Sequence, residues 1–323
     1  MKIAFYTSGL GITGGNKRAY FLTRAIQKMG FYSAVIIEEK YNDIKIDNIN
    51  IISRHKALSI KFDFVIAMNP IYCDLDFFKS LNAKMKGLYI LHLNDEFYTP
   101  KYQLWIDELS KQEKFVVLVN NNLWKDFYKI REHIQVFEIV GGYKNFEINE
   151  KLIEKKSDFT IIVNGNKNKF KGFNEVLRAI GRTKIKRYNI LTFASRTMSF
   201  NSNHRMNIVF NIPYMEMWKV YLSGDLFIYF EDENAGWGNT AFEAIMCGIP
   251  VICTKYGTNA FAKHMKNSYI IERDVDILAN AIELFYENSN ILRGMNSNEK
   301  LALNKKFSYK TLATKILNIV KNN

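Results

Sequence analysis

The chain has 323 residues, 48% hydrophobic and 24% charged, enough for two cored domains at roughly 150 residues each. No apolar run reaches the ~18 residues a membrane span needs, and three scattered cysteines, Cys73, Cys247 and Cys253, argue against a disulfide framework or a metal cluster. The net charge of +13 favours polyanionic neighbours, namely an anionic membrane surface, nucleic acid or phosphorylated substrates. It is equally explained by a Lys-, Asn- and Ile-rich composition of the kind an AT-rich genome encodes.

Met1-Lys2 runs straight into a strand-like segment with no signal-peptide pattern, so the expected location is cytoplasmic. Lys2–Thr7 reads as a buried first strand and 8–15 as a Gly-rich loop. Lys17–Met29 has helical apolar spacing and stops at Gly30. Strands are expected at Ser33–Ile37, Phe64–Ala67, Leu88–His92, Phe115–Val119 and Val136–Ile139. After a charged linker, 147–157, the alternation restarts at Phe159–Val163. A Lys-rich loop, a helix at Phe173–Ile180 and strands at Asn189–Phe193 and Asn207–Phe210 follow. Next come a helix at Met215–Leu222, a strand at Leu226–Phe230, a helix after Asn239, a strand at Val251–Cys253 and a last helix at Phe307–Val320. Strands alternating with helices imply parallel sheets covered on both faces.

Four segments carry candidate chemistry. Ala235-Gly-Trp-Gly-Asn-Thr-Ala-Phe-Glu243 breaks a loop with glycines and then starts a helix, whose free N–H groups favour an anion. Gly238, Asn239 and Thr240 stand at that start. Glu243 is one turn further on, placed to accept from a ligand's hydroxyls; Thr240-x-x-Glu243 also fits a capping box. The loop at 165–172 gathers Asn166, Lys167, Lys169 and Lys171, and an ammonium suits a diphosphate. His92 ends a strand, on the side where open α/β sheets bind ligands. Gly9-Leu-Gly-Ile-Thr-Gly14, with Gly15 after it and Glu38 and Glu39 beyond the second strand, formally matches a dinucleotide fingerprint. An NAD-dependent oxidoreductase therefore stands as an alternative reading, although it leaves 235–254 unexplained.

In order, these segments resemble the retaining GT-B glycosyltransferases of the family 4, or glycogen-synthase-like, type. Gly14-Gly15 is similar to that family's N-terminal loop and Val140-Gly-Gly-Tyr143 to the loop ending its first domain. Lys171-Gly172 is similar to its phosphate-binding Lys-Gly, and Glu243-Ala-Ile-Met-Cys-Gly-Ile-Pro-Val to its Glu-to-Val signature. Gly257-Thr258, Ile271-Glu-Arg-Asp274 and Phe307-Ser308 follow its C-terminal pattern. The resemblance implies two Rossmann-like domains with mostly parallel sheets facing a central cleft. It places an acceptor domain at 1–150, a nucleotide-sugar domain at 151–306 and a helix at 307–323 returning to the first. It implies sugar transfer from a UDP- or GDP-type donor without a cofactor or metal, with Lys171 and the helix N-terminus in the ion's place. His92 would contact the donor sugar and Glu243 the ribose. Gly14, Gly15, Asn166, Lys167, Gly238, Asn239 and Thr240 would lie along the substrates.

The chain departs from that pattern at two positions. Ala235 stands where the family has a sugar-contacting Glu, with Glu233 or Asn234 as nearby substitutes. Asn166 stands where an Arg usually accompanies the Lys. A non-catalytic sugar or polyanion binder is thus the other alternative. The acceptor is expected to be a glycan or a lipid-linked sugar, with peripheral contact to an anionic membrane, or else a nucleic acid. Lys17, Arg18, Tyr20, Phe21 and Arg24 on the first helix are the expected basic-aromatic patch.

Overall fold

The computed structural model describes residues 1–9, 14–37, 49–68, 73–91, 95–111, 114–124, 134–153, 158–166, 168–194, 206–288, 290–292 and 295–323. The chain divides into two compact units. One is Met1–Tyr143 with Lys305–Asn323, the other Lys144–Asn304.

The first unit holds strands β1 (Lys2–Thr7), β2 (Tyr32–Ile37), β3 (Asn50–Ile52), β4 (Phe62–Met68), β5 (Ala83–Ile90), β6 (Phe115–Val119) and β7 (Gln135–Glu138). They form a parallel sheet ordered β3-β2-β1-β4-β5-β6-β7. Helices α1 (Gly14–Lys28), α2 (Arg54–Leu58), α3 (Leu75–Ser80) and α4 (Asp95–Leu109) lie between strands. Successive side chains on a strand face opposite ways, and here both ways are buried. Ala4 and Tyr6 join one apolar cluster with Phe78, Trp105 and Val117, while Ile3 and Phe5 join another with Leu22, Ile26 and Leu118. That double burial is why Ile3–Tyr6 of β1, Phe64–Met68 of β4 and all of β6 read as unbroken apolar runs.

The second unit begins at β8 (Phe159–Asn164) and continues through α5 (Phe173–Arg182), β9 (Tyr188–Ala194), β10 (Met206–Phe210), α6 (Met217–Leu222), β11 (Leu226–Tyr229), α7 (Asn239–Cys247), β12 (Val251–Cys253), β13 (Tyr269–Ile270) and α8 (Val275–Glu287). Its parallel sheet is ordered β10-β9-β8-β11-β12-β13. Ile161, Val163, Ile228 and Ile252 pack beneath α5 and α8 through Val176, Ile180, Leu278 and Ile282. Cys247 and Cys253 are buried, and burial pushes their thiols up to about 12 and about 11.

The chain ends in two helices where one was expected: α9 (Ser297–Phe307) and α10 (Tyr309–Asn322). Ser308 breaks them because it adopts extended backbone and caps α10, its hydroxyl accepting from Thr311 N at 3.2 Å. Leu312, Ile316 and Leu317 of α10 pack with Ala19, Leu22 and Ile26 of α1. The Val140-Gly-Gly-Tyr143 segment binds back here too. Gly142 N and Tyr143 N both donate to Phe307 O, at 2.9 and 3.0 Å. Among the described residues, no helix is long and apolar enough to cross a membrane.

Candidate active site

In the second sheet the chain runs from β8 outward through β9 to β10, then returns to β11 and proceeds the other way. The sheet therefore changes direction between β8 and β11, and ligands of open α/β sheets bind beyond the carboxyl ends of strands at such a point. Two loops meet there: 165–172 after β8 and 230–238 after β11.

The first loop is shaped by its own backbone. Asn164 Oδ1 accepts from Asn166 N at 3.1 Å, and Asn166 Oδ1 accepts from Asn168 N at 2.9 Å, so Asn166 spends its carbonyl on the turn while its side chain stays exposed. A short 3-10 turn, Lys169–Lys171, then meets Gly172, which has φ 69° and opens α5. Asp232 N donates to Phe170 O at 3.1 Å. Arg273 ties both loops to α5, with Nη2 3.0 Å from Glu175, Nη1 3.5 Å from Asp232, and a 3.4 Å bond to Lys169 O.

Lys171 Nζ lies 2.6 Å from Glu231 Oε1. Glu231 is 3% exposed and Lys171 22%. Burial pushes the Glu231 carboxyl up, and the Lys171 ammonium opposes that. Thr254 Oγ1 donates to Glu231 O at 2.6 Å and fixes its backbone. The Tyr229 hydroxyl lies buried in the field of Glu231 and makes no hydrogen bond of ordinary length; burial and that charge push it well up. Sequence reasoning missed Glu231. The signal was present in the first acid after the apolar run 226–230, at a strand's carboxyl end. Glu233, offered as a substitute for the absent acid, is exposed, Asn234 is half-buried, and Ala235 is fully buried.

The second loop leads into α7, whose N-cap is Gly238. This overturns the capping-box reading of Thr240 and Glu243: the helix starts at Asn239, so Thr240 is already inside it. Instead, Glu243 is buried and its Oε2 accepts from Tyr221 Oη of α6 at 2.7 Å. Burial first, and the Glu243 charge second, keep that phenol protonated as a donor. Gly238 N donates to Gly257 O at 2.9 Å, and a Cβ on Gly257 would lie 2.6 Å from Tyr229 Oη. Trp237, Phe242 and Phe261 pack edge-to-face or tilted, with centroids 4.7 to 5.2 Å apart. Lys171 and Gly238 therefore stand on the loops that follow β8 and β11, and Asn239, Thr240 and Glu243 on the helix that the second loop opens.

In the first unit, Gly14 and Gly15 open α1 beyond β1, and a Cβ on Gly15 would lie 2.7 Å from Leu91 Cδ1. Thr7 Oγ1 donates to Asn16 Oδ1 at 2.8 Å, a buried polar pair at the same end of β1. The expected surface patch is corrected. Arg18 is 1% exposed, bonded through Nη1 to Tyr89 Oη at 2.8 Å, and Phe21 is buried against Tyr309. Lys17, Tyr20 and Arg24 remain half-buried. β5 ends at Ile90 rather than at His92. His92 and Lys167, together with Glu38, Glu39 and 10–13 of the Gly-rich loop, lie outside the described residues. Among the described residues no group of three or more His, Cys, Asp or Glu is arranged to hold a metal ion.

Residues 144–302 match the family described as glycosyl transferases group 1. No curated protein matches the sequence. Among solved structures, the chain is similar to Anabaena Alr3699/HepE in complex with UDP and glucose, at 12% identity and a TM-score of 0.74, covering 100% of both chains. It is similar to the pneumococcal O-GlcNAc transferase GtfA in complex with UDP and GlcNAc, at 11% identity and 0.72, covering 100% of this chain and 99% of that one. It is also similar to the sucrose-phosphate synthase of Thermosynechococcus elongatus, at 14% identity and 0.70, covering 100% and 98%. These likenesses are of fold: two Rossmann-like units of the GT-B type. With the group 1 domain in its second unit, the chain is a glycosyltransferase.

Proposed function

We propose that this glycosyltransferase moves a sugar from a nucleoside diphosphate sugar to a hydroxyl acceptor with retention of configuration, in the manner of family 4 enzymes. The observation that carries the reading is that the loop presenting the Lys171 ammonium and the loop opening α7, which bears the buried Glu243, follow the two strands between which the second sheet changes direction. HepE and GtfA were solved with UDP, which favours a uridine donor over a guanosine one.

In the proposed reaction the bond from the anomeric carbon to the β-phosphate oxygen breaks. The acceptor oxygen bonds to the same face of that carbon, and its proton passes to an oxygen of the departing diphosphate. Negative charge grows on the diphosphate, where Lys171 and the N–H groups at the start of α7 lower its energy. Gly238, Asn239 and Thr240 bring backbone close to phosphate and sugar. Glu243, held by Tyr221, accepts from the ribose hydroxyls. Asn166 faces the diphosphate side. In the first unit, Gly14-Gly15 lets the acceptor approach the backbone. The reaction uses no cofactor, and the ammonium serves where other transferases use a metal. The acceptor is a glycan or lipid-linked sugar, met in the cytoplasm or at an anionic membrane surface that the charge of +13 attracts.

Thermal unfolding with UDP, GDP, ADP and NAD in parallel tests the donor class. A ligand at 100 times its dissociation constant adds about 2.7 kcal/mol. A shift with one nucleoside diphosphate, lost in Glu243→Ala, is expected. A shift with NAD alone would overturn the reading.

A further inference from the structure

We propose that Glu231 is a positioning residue: it holds the Lys171 ammonium at the switch point while the site is empty and yields it to the donor's diphosphate. This rests on reading the site as a diphosphate site. Across 231–238, Glu231 is the only buried carboxylate, since Asp232 is half-buried, Glu233 is exposed and Ala235 has no acid to offer.

Both ends of the pair are fixed. Lys171 is presented by a turn that Gly172 presses against Phe230, and Arg273 anchors that turn through Lys169 O. Glu231 is held by Thr254 through its backbone carbonyl. Arg273 itself is committed to Glu175 and Asp232, so of these two cations it is Lys171 that can meet a ligand. At 22% exposed it reaches the surface of the crevice, while its partner at 3% lies behind it. An arriving diphosphate therefore faces the ammonium first and finds a second anion, 2.6 Å beyond it, competing for the same charge. A carboxylate so placed weakens the grip on the diphosphate and speeds release of the nucleotide product, because like charges at close range oppose each other.

The test is calorimetric titration of UDP and of inorganic pyrophosphate into wild type and Glu231→Gln, with melting curves to check the fold. Gln keeps the shape and removes the charge, so UDP should bind roughly tenfold more tightly in E231Q, and turnover should become limited by product release. A merely structural carboxylate would not give tighter binding. UDP affinity equal to or weaker than wild type in a folded E231Q overturns the proposal and leaves the diphosphate reading intact. Should wild type bind neither probe, the diphosphate reading falls and the proposal with it. If E231Q does not fold, wild type alone decides. UDP-glucose, titrated near pH 6.5 in two buffers of different ionisation enthalpy, should bind with net proton uptake as Glu231 loses its ammonium. Binding without uptake overturns the proposal.

Discussion

Gly172 and the carbonyl oxygen of Phe230 approach so closely that a Cβ at position 172 would overlap that oxygen. With φ 69°, position 172 is closed to other residues on two independent grounds, steric and conformational. Gly172→Ala should therefore cost about 2–4 kcal/mol of stability and shift Lys171, so melting temperature and UDP affinity should fall together. A variant that melts like wild type would mean the loop relaxes freely.

Lys171→Ala removes the cation nearest the proposed leaving group. Loss of one preorganised donor to a developing oxyanion typically costs ~10²–10³ in turnover. Steady-state kinetics should show that fall chiefly in kcat, and unchanged kcat would take Lys171 out of the mechanism.

Tyr221 supports Glu243 from beneath through a 2.7 Å bond. Tyr221→Phe takes that donor from a buried carboxylate, a loss of about 1–3 kcal/mol. With Glu243 holding the ribose, the donor KM should rise while kcat holds. A fall in kcat with KM constant would instead place this pair near the reacting carbon.

Acid stability should respond to Asp63. Lys84 Nζ lies 2.7 Å from its Oδ1 and Lys2 N donates to its Oδ2 at 2.7 Å, and Lys84 first of all holds the carboxyl below its ordinary range. A depressed folded pKa contributes stability above the unfolded value of about 3.9 and loses it as pH falls through the folded value. Asp63→Asn should thus lower the unfolding free energy from urea titration at pH 7 by about 0.5–1 kcal/mol for a partly exposed pair, and converge with wild type at about pH 2. A constant difference across that range would rule out this linkage.

Much of the scaffold was legible because fully buried parallel strands write themselves as apolar runs. Lys2–Thr7, Phe115–Val119 and Val251–Cys253 are found with those very bounds. The short strands Asn50–Ile52 and Tyr269–Ile270 carry no such run and were missed, since their pairing comes from the neighbouring strand. Motif spacing singled out Lys171, Gly238 and Glu243 as candidates, but a partner across the fold leaves no local trace. Arg18 meets Tyr89 across 71 positions and Lys171 meets Glu231 across 60. Local pattern thus read Arg18 as part of a surface patch, where the fold makes it a buried guanidinium against Tyr89. Thr240 and Glu243 have the spacing of a cap, yet the glycine before them starts the helix first.

Because Lys305–Asn323 belongs with Met1–Tyr143, order of synthesis and order of assembly cannot coincide. On the ribosome the second unit has all of its residues before the first does, reversing the usual N-terminal-first sequence of domain folding. Until α10 emerges, Leu22 and Ile26 on α1 lack part of their apolar cover. The first sheet thus has all seven strands long before its α1 face is covered, and removal of α10 would leave a complete second unit joined to a first with that face bare.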